Sequence, residues 1–353
     1  MTAAAPDSLL AIAAQVSARL EEFLTPELDR WTALDADLRD PMAEIGRLVL
    51  AGGKRLRPAF CHWAFVGLGG DPSDPVVVDA GAAFELMHAF ALFHDDVMDD
   101  AASRRGQPTT HTVYADLHRA GGWSGDSRRF GDGIAILIGD LTFVYSDQLL
   151  AGANTVAWSI WNELRIELNV GQVLDVLGSV RGVRGVEQAE RICRFKSGKY
   201  TIERPLHLGA ALADPDRFAA VADGLSAYGL PLGDAFQMRD DVMGAFGDEA
   251  TTGKPVGGDL REGKPTPLLA RALAVATPAQ RSVLDRVGDP EMSIDDIAAV
   301  QQVIVDTGAL ADLEATIERR TSAALEALTR LDLAAEARDE LARLAAYVSR
   351  RET

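Results

Sequence analysis

The tetrapeptide Asp-Asp-Val-Met occurs twice in this chain, at 95–98 and at 240–243, each time within a stretch of helical periodicity. On a helix Asp95 and Asp99 stand one turn apart on the same side, and Asp96 and Asp100 widen that acidic edge. The run from Phe84 to Phe93 is nearly all apolar, so the first edge ends a buried helix. Two acidic edges in a bundle of apolar helices are costly unless cations bridge them. The two carboxylate edges are therefore expected to face one another across a cavity.

Periodicity is helical almost throughout, with Ala and Leu abundant and no sustained alternation of the kind strands require. An all-α fold is expected, and the absence of a composition shift predicts one domain over 1–353. Amphipathic segments are expected at 8–24 and 26–50, with a new helix beginning near Pro58. Asp74 and Pro75 form an N-cap and a first helical position for the long helix that carries Glu85, His88 and the Asp95 cluster. A glycine-rich loop is expected over 121–133, helices over 134–150 and 155–177, a kink at Ser197-Gly198, and a lysine-bearing loop over 251–267. The helices from Leu268 onward read as bundle closure and dimer support.

The net charge of −18 argues against general nucleic-acid binding and against attachment to an anionic membrane, so any phosphate affinity is local. Cys61 and Cys193 match no metal or redox spacing, which fits a reducing compartment. The N-terminal stretch has Asp7 and no early basic residue, and its apolar stretches are short and broken. Neither a signal peptide nor a membrane span is expected there, and the protein reads as cytoplasmic.

An acidic edge of this kind suits Mg²⁺, which takes one or two carboxylates and leaves its other positions to substrate phosphate. Arg104 and Arg105 place two guanidinium forks just beyond the carboxylates, where they can grip a polyphosphate. Only five of the 35 basic residues are lysines, at 54, 196, 199, 254 and 264, and each lies in a segment suited to phosphate on other grounds. Lys54, Arg55 and Arg57 follow Gly52-Gly53 and precede a helix start, where anions are favoured. The spacing is not that of a P-loop. His88 lies seven residues before Asp95 and shares its stripe two turns lower. Around Arg194-Phe195-Lys196-Ser197-Gly198-Lys199-Tyr200, a Ser-Gly kink would turn carbonyls and a lysine inward.

In order along the chain, these pieces are GGKRLRP at 52–58, ELMHAFALFHDDVMDDAASRRGQPT at 85–109, GD at 139–140, GQ at 171–172, KSGKYTIERPL at 196–206, FQMRDD at 236–241 and GKPVGGDLREGKPTP at 253–267. Together they resemble the trans-isoprenyl diphosphate synthases, the short-chain polyprenyl synthetase family. The resemblance implies an all-α bundle around a deep central apolar cavity, a homodimer, and Mg²⁺-dependent condensation of isopentenyl diphosphate with an allylic diphosphate, three ions being held with substrate. It implies Asp95, Asp99 and Asp240 as metal ligands, with Asp96 and Asp241 in the same catalytic edges. Arg104, Lys196, Lys254 and Lys264 would neutralise the allylic diphosphate. Lys54, Arg57, His88 and Arg105 would hold isopentenyl diphosphate, and Arg55 is counted with this basic substrate-binding set. Ser197 and Gln237 would stabilise the carbocation.

Two departures stand out. Gly244 occupies the place where many members carry a last aspartate, with Asp248 a candidate substitute, and Ser197 replaces the commoner threonine. For product length, Phe90 is bulky, Ala91 small and Met87 deeper, a pattern resembling geranylgeranyl (C20) synthases more than farnesyl (C15) ones. A farnesyl or longer-chain synthase, a class I terpene cyclase and a non-catalytic subunit of a heteromeric synthase are the competing readings. The Lys54, Arg57 and His88 set speaks against the cyclase, and the intact first motif speaks against the subunit.

Overall fold

The computed structural model describes residues 4–104, 106–181, 185–247, 257–289 and 291–351. Its α-helices are α1 (Asp7–Leu34), α2 (Arg39–Leu50), α3 (Leu56–Gly67), α4 (Pro75–Met98), α5 (Thr110–Ala120), α6 (Ser127–Leu149), α7 (Thr155–Arg181), α8 (Val186–Cys193), α9 (Arg204–Ala213), α10 (Pro215–Phe246), α11 (Gly258–Glu262), α12 (Pro267–Val275), α13 (Pro278–Leu284), α14 (Ile294–Asp306), α15 (Ala309–Thr329) and α16 (Ala335–Arg350). A π-helical segment (Arg194–Glu203) links α8 to α9. The only strands among the described residues are β1 (Ser103–Arg104) and β2 (Gln107–Pro108), an antiparallel pair.

The helix that ends in the first acidic edge is also the centre of the main core. Asp74 caps α4, its side chain accepting from the Val76 amide, and Pro75 fills a position that needs no amide donor. Ala80, Ala82, Ala83, Phe84, Leu86, Met87 and Phe93 are all buried. By length and hydropathy α4 could cross a membrane, but 61% of its most apolar window is buried in the bundle. A second cluster of buried apolar residues joins the end of α10 to the helices that follow, including Met238, Leu268, Leu269, Ile297 and Leu313. Since Leu232 and Phe236 belong to the first cluster, α10 is anchored in both. It carries the second acidic edge where the two meet.

Three features differ from the sequence expectation. Helix α1 runs through Pro26: beyond the proline, Leu28 and Trp31 pack on the core and Trp31 Nε1 donates to the Tyr145 hydroxyl at 2.9 Å, and the break comes at Asp35, whose side chain accepts from the Asp37 amide at 3.0 Å. The glycine-rich loop ends early, because Asp126 accepts from the Arg129 amide at 2.7 Å and starts α6 there. The kink at Ser197-Gly198 is a ten-residue π-helical stretch, a geometry that projects side chains differently from an α-helix. Below Asp95 on α4, Ala91 keeps accessible surface, whereas Met87 keeps none.

Candidate active site

Asp99 is the C-cap of α4, and its amide donates to the Asp95 carbonyl at 2.8 Å, so the one-turn spacing holds. Asp95 Oδ1 accepts from Gln172 Nε2 at 2.8 Å and from Lys196 Nζ at 3.2 Å. Lys196 also donates to Asp175 at 2.6 Å. This knot depends on Gly171, where a Cβ would lie 2.6 Å from the Lys196 amide nitrogen. The missing side chain lets α7 touch the π-helical backbone and delivers Lys196 to Asp95. Gly233 on α10 likewise meets Gly198 backbone to backbone, which brings the second acidic helix against the same segment.

Asp96 is buried and bonded to Arg104, from Nε at 2.7 Å and from the terminal nitrogen at 2.6 Å, and Arg104 stands 4.0 Å from Asp95. The hairpin of β1 and β2 therefore serves to fold Arg104 back over the edge. Asp100 turns away in a left-handed conformation (φ 51°) and pairs with Arg128 at 3.1 Å. His94 leans on α6, 3.1 Å from the Ile136 carbonyl, in the space left by Gly139. The Gly139-Asp140 pair thus packs against His94, and the Asp140 side chain is mostly exposed.

On the second edge, Gln237 donates to Asp241 at 3.0 Å, and Asp240 is paired with Arg351. The other oxygen of Asp241 is buried with no partner among the described residues. Gly244 has no side chain because Asp259 occupies the space, its Oδ2 lying 1.8 Å from where a Cβ would be. A carboxylate thus reaches the position of the missing last aspartate from α11. Asp248 lies outside the described residues, as do Arg105 and Lys254. Lys264 sits 2.5 Å from Glu262 and 3.8 Å from Asp259.

Both acidic helices pack on the π-helical segment, through Lys196 to Asp95 and through Gly198 to Gly233. Burial would raise Asp95, but Lys196 and Arg104 outweigh it and hold the carboxyl below its usual range. Burial and the neighbouring Asp95 push Asp99 up to about 6. Burial, Asp259 and Asp240 push Asp241 up to about 8 against the bond from Gln237. Lys264 acts on Asp95 and Asp99 from one side and on Asp241 and Asp259 from the other. It is itself raised despite burial, first by Asp259.

The basic residues of the α2–α3 turn divide. Arg57 stacks 4.3 Å over Tyr200 and donates to Thr201 at 3.2 Å. His88 is half-buried, 6.3 Å from the Tyr200 ring, and Lys54 is half-buried ahead of α3. Arg55 departs from the expectation of a substrate contact: at a left-handed position (φ 48°) it is buried, paired with Glu85 and bonded to the Val49 carbonyl at 2.6 Å. A charge that deep requires a partner, and Glu85 supplies it. Ser197 is half-buried beside Lys196. Phe90 lies against Phe143 and His94, each 4.7 Å between ring centres. Tyr200, Thr201, Asp259 and Arg351 were not singled out by sequence reasoning. Tyr200, Thr201 and Asp259 lie inside quoted motifs, whereas Arg351 has no local signal.

Among the described residues no three acidic, histidine or cysteine side chains converge into a ready metal cage. That is the donor arrangement Mg²⁺ accepts when diphosphate and water complete its shell. The orphaned oxygen of Asp241 and the crowding that raises Asp99 both fit a missing cation.

The family model for polyprenyl synthetase matches residues 40–304. A geranylfarnesyl diphosphate synthase of Aeropyrum pernix is 33% identical over 86% of this chain and 92% of its own length. A geranylgeranyl diphosphate synthase of Saccharolobus solfataricus is 34% identical over 73% of this chain and 74% of its own. Among solved structures, a Corynebacterium glutamicum geranylgeranyl pyrophosphate synthase complexed with isoprenyl diphosphate and magnesium superimposes with a TM-score of 0.90 at 37% identity, covering 97% of this chain and 99% of that one. With these relatives at hand, the chain belongs to the polyprenyl synthetase family and is a trans-prenyltransferase.

Proposed function

We propose that the enzyme condenses isopentenyl diphosphate with an allylic diphosphate between the two acidic edges, and that its main product is geranylgeranyl diphosphate. Asp95 and Asp99 on one side and Asp240 on the other would hold Mg²⁺, three ions with substrate bound. When bound, the metal supplies charge to the leaving diphosphate. Lys196, Arg104 and Lys264, joined by Lys254, add their own positive charge there, so the allylic C–O bond breaks with its electron pair left on oxygen. Arg57, held by Tyr200 and Thr201, keeps isopentenyl diphosphate in place with Lys54, His88 and Arg105. The isopentenyl double bond then forms the new C–C bond, and the proton lost from the adjacent carbon goes to the released diphosphate. Ser197 and Gln237 would face the allylic cation with their oxygens. Asp96 would hold Arg104 over the first edge, and Asp241 would hold Gln237 on the second.

The observation that carries this reading is Lys196, bonded to Asp95 from the π-helical segment whose Gly198 meets Gly233 of the second acidic helix. For length, a floor beside Phe90 is supported by the accessible surface that Ala91 keeps and Met87 lacks. A C25 product is the second reading, favoured by the relative named a geranylfarnesyl diphosphate synthase. Labelled isopentenyl diphosphate offered with dimethylallyl, geranyl and farnesyl diphosphates, with and without Mg²⁺, decides: C20 as the end product is expected, and no Mg²⁺-dependent product from any primer overturns the proposal.

A homodimer is part of the same proposal. Helix α7 exposes the apolar stripe Ile166, Val170, Val173 and Val176, and α6 exposes Leu137 and Val144, a face that calls for a partner. A second copy of the chain is the occupant proposed, in the cytoplasm. A monomeric mass in solution by light scattering would contradict it.

A further inference from the structure

Arg351 follows the end of α16 in an extended conformation (φ −69°, ψ 153°), yet its side chain is 2% exposed. The guanidinium lies 4.3 Å over the ring of Phe236 and donates to Asp240 Oδ1. The neighbouring residue ties the same helix end in the opposite direction. Arg239 donates from Nε to the Ser349 carbonyl at 3.0 Å and from its terminal nitrogens to Glu314 at 2.7 and 2.6 Å. The end of α16 is thus registered against residues 239 and 240, and Arg351 is delivered to Asp240 by that registration. Asp240 keeps 34% of its side chain accessible. The Arg351 Nε is buried with no partner among the described residues, so this guanidinium gives up less on moving than a fully bonded one.

We infer that Arg351 is the resting counter-ion of Asp240 and that divalent metal reaches the second acidic edge by displacing it. The inference rests on the reading of Asp240 as a metal ligand. A guanidinium held on Oδ1 puts a positive charge beside the place where a divalent cation would sit, so repulsion between the two cations opposes metal at that carboxylate. The Arg351–Asp240 pair therefore sets how tightly that edge takes metal, and Phe236 keeps the displaced guanidinium stacked nearby.

The test uses the full chain and Mn²⁺ as a paramagnetic stand-in for Mg²⁺, with free ion counted by electron paramagnetic resonance at fixed inorganic pyrophosphate and corrected by a protein-free control. Arg351→Met is expected to bind Mn²⁺ about fivefold more tightly than the parent, the factor for giving up one ion pair with a partly exposed partner. Arg351→Lys should stay near the parent, and Asp240→Asn should bind more weakly. Should the methionine variant melt early, Arg351→Gln supplies the same comparison with the same expected tightening. Unchanged or weaker Mn²⁺ binding without Arg351, while Asp240→Asn still weakens it, overturns the inference and leaves Asp240 a ligand. Parent-like binding by Asp240→Asn overturns both.

Discussion

Replacing Gly171 by alanine tests how Lys196 is delivered to the first acidic edge. The added Cβ would sit 2.6 Å from the Lys196 nitrogen, 2.8 Å from the Phe195 carbonyl carbon and 2.9 Å from the Lys196 Cα. All three are backbone atoms, so no side chain can swing aside. Restoring ordinary contact at about 3.5 Å requires a shift of about 1 Å between α7 and the π-helical segment. Lys196 now reaches Asp175 at 2.6 Å and Asp95 at 3.2 Å, and such a shift takes its ammonium out of register with both. Misplacement of that size costs about 100-fold in turnover, and the overpacking itself costs roughly 1–3 kcal/mol of stability. Steady-state kcat and KM of Gly171→Ala, Lys196→Ala and the double variant, with melting curves, check this. If the glycine acts through the lysine, the two losses are strongly non-additive. Turnover of Gly171→Ala within about twofold of the parent, or fully additive losses, would refute the reasoning.

Three other outcomes follow from the geometry. Phe90→Ala removes the ring packed against Phe143 and His94 and should lengthen the product by at least one isoprene unit while costing about 3–5 kcal/mol; an unchanged chain on chromatography shows that the floor lies elsewhere. Gly244→Asp, which restores the aspartate common in the family, should lower activity, because the new Cβ meets Asp259 Oδ2 at 1.8 Å; a gain in Mg²⁺-dependent turnover would contradict the placement of Asp259. Asp241 titrates near 8 in the fold against an ordinary value of 3.8, so the folded chain keeps a proton that the unfolded chain has released. Its contribution to stability is present below about 4 and is lost as pH rises toward about 8. The metal-free protein should therefore melt lower across that window, and Asp241→Asn should flatten the slope; equal slopes would remove Asp241 as the cause.

What could be read from the chain were features carried by local chemistry. The Asp74-Pro75 cap, the one-turn spacing of Asp95 and Asp99, and the lysine at 196 depend on residues within a few positions of one another. Pro26 reads as a breaker in sequence, yet the helix continues because Leu28 and Trp31 beyond it pack on the core, a gain that only tertiary structure supplies. The start of α6 was hidden by glycines that outweighed one capping aspartate. Ser197-Gly198 signalled an irregularity, but whether it becomes a kink or a π-helical stretch depends on the backbone contacts with Gly171 and Gly233. Arg55 and Arg57 look equivalent in sequence, and only Glu85 on one side and Tyr200 on the other separate a core ion pair from a stacked cation. Arg351 had no signal at all, since its partner lies 111 positions away.

The central claim is that the two acidic edges hold metal and diphosphate between them. Crystals grown with Mn²⁺ and inorganic pyrophosphate, measured for anomalous scattering, test it most directly. Peaks beside Asp95 and Asp99 and beside Asp240, bridged by pyrophosphate that Lys196 and Lys264 reach, are the expected result. Peaks at the first edge alone, with Asp240 still paired to Arg351 and pyrophosphate elsewhere, would contradict the account.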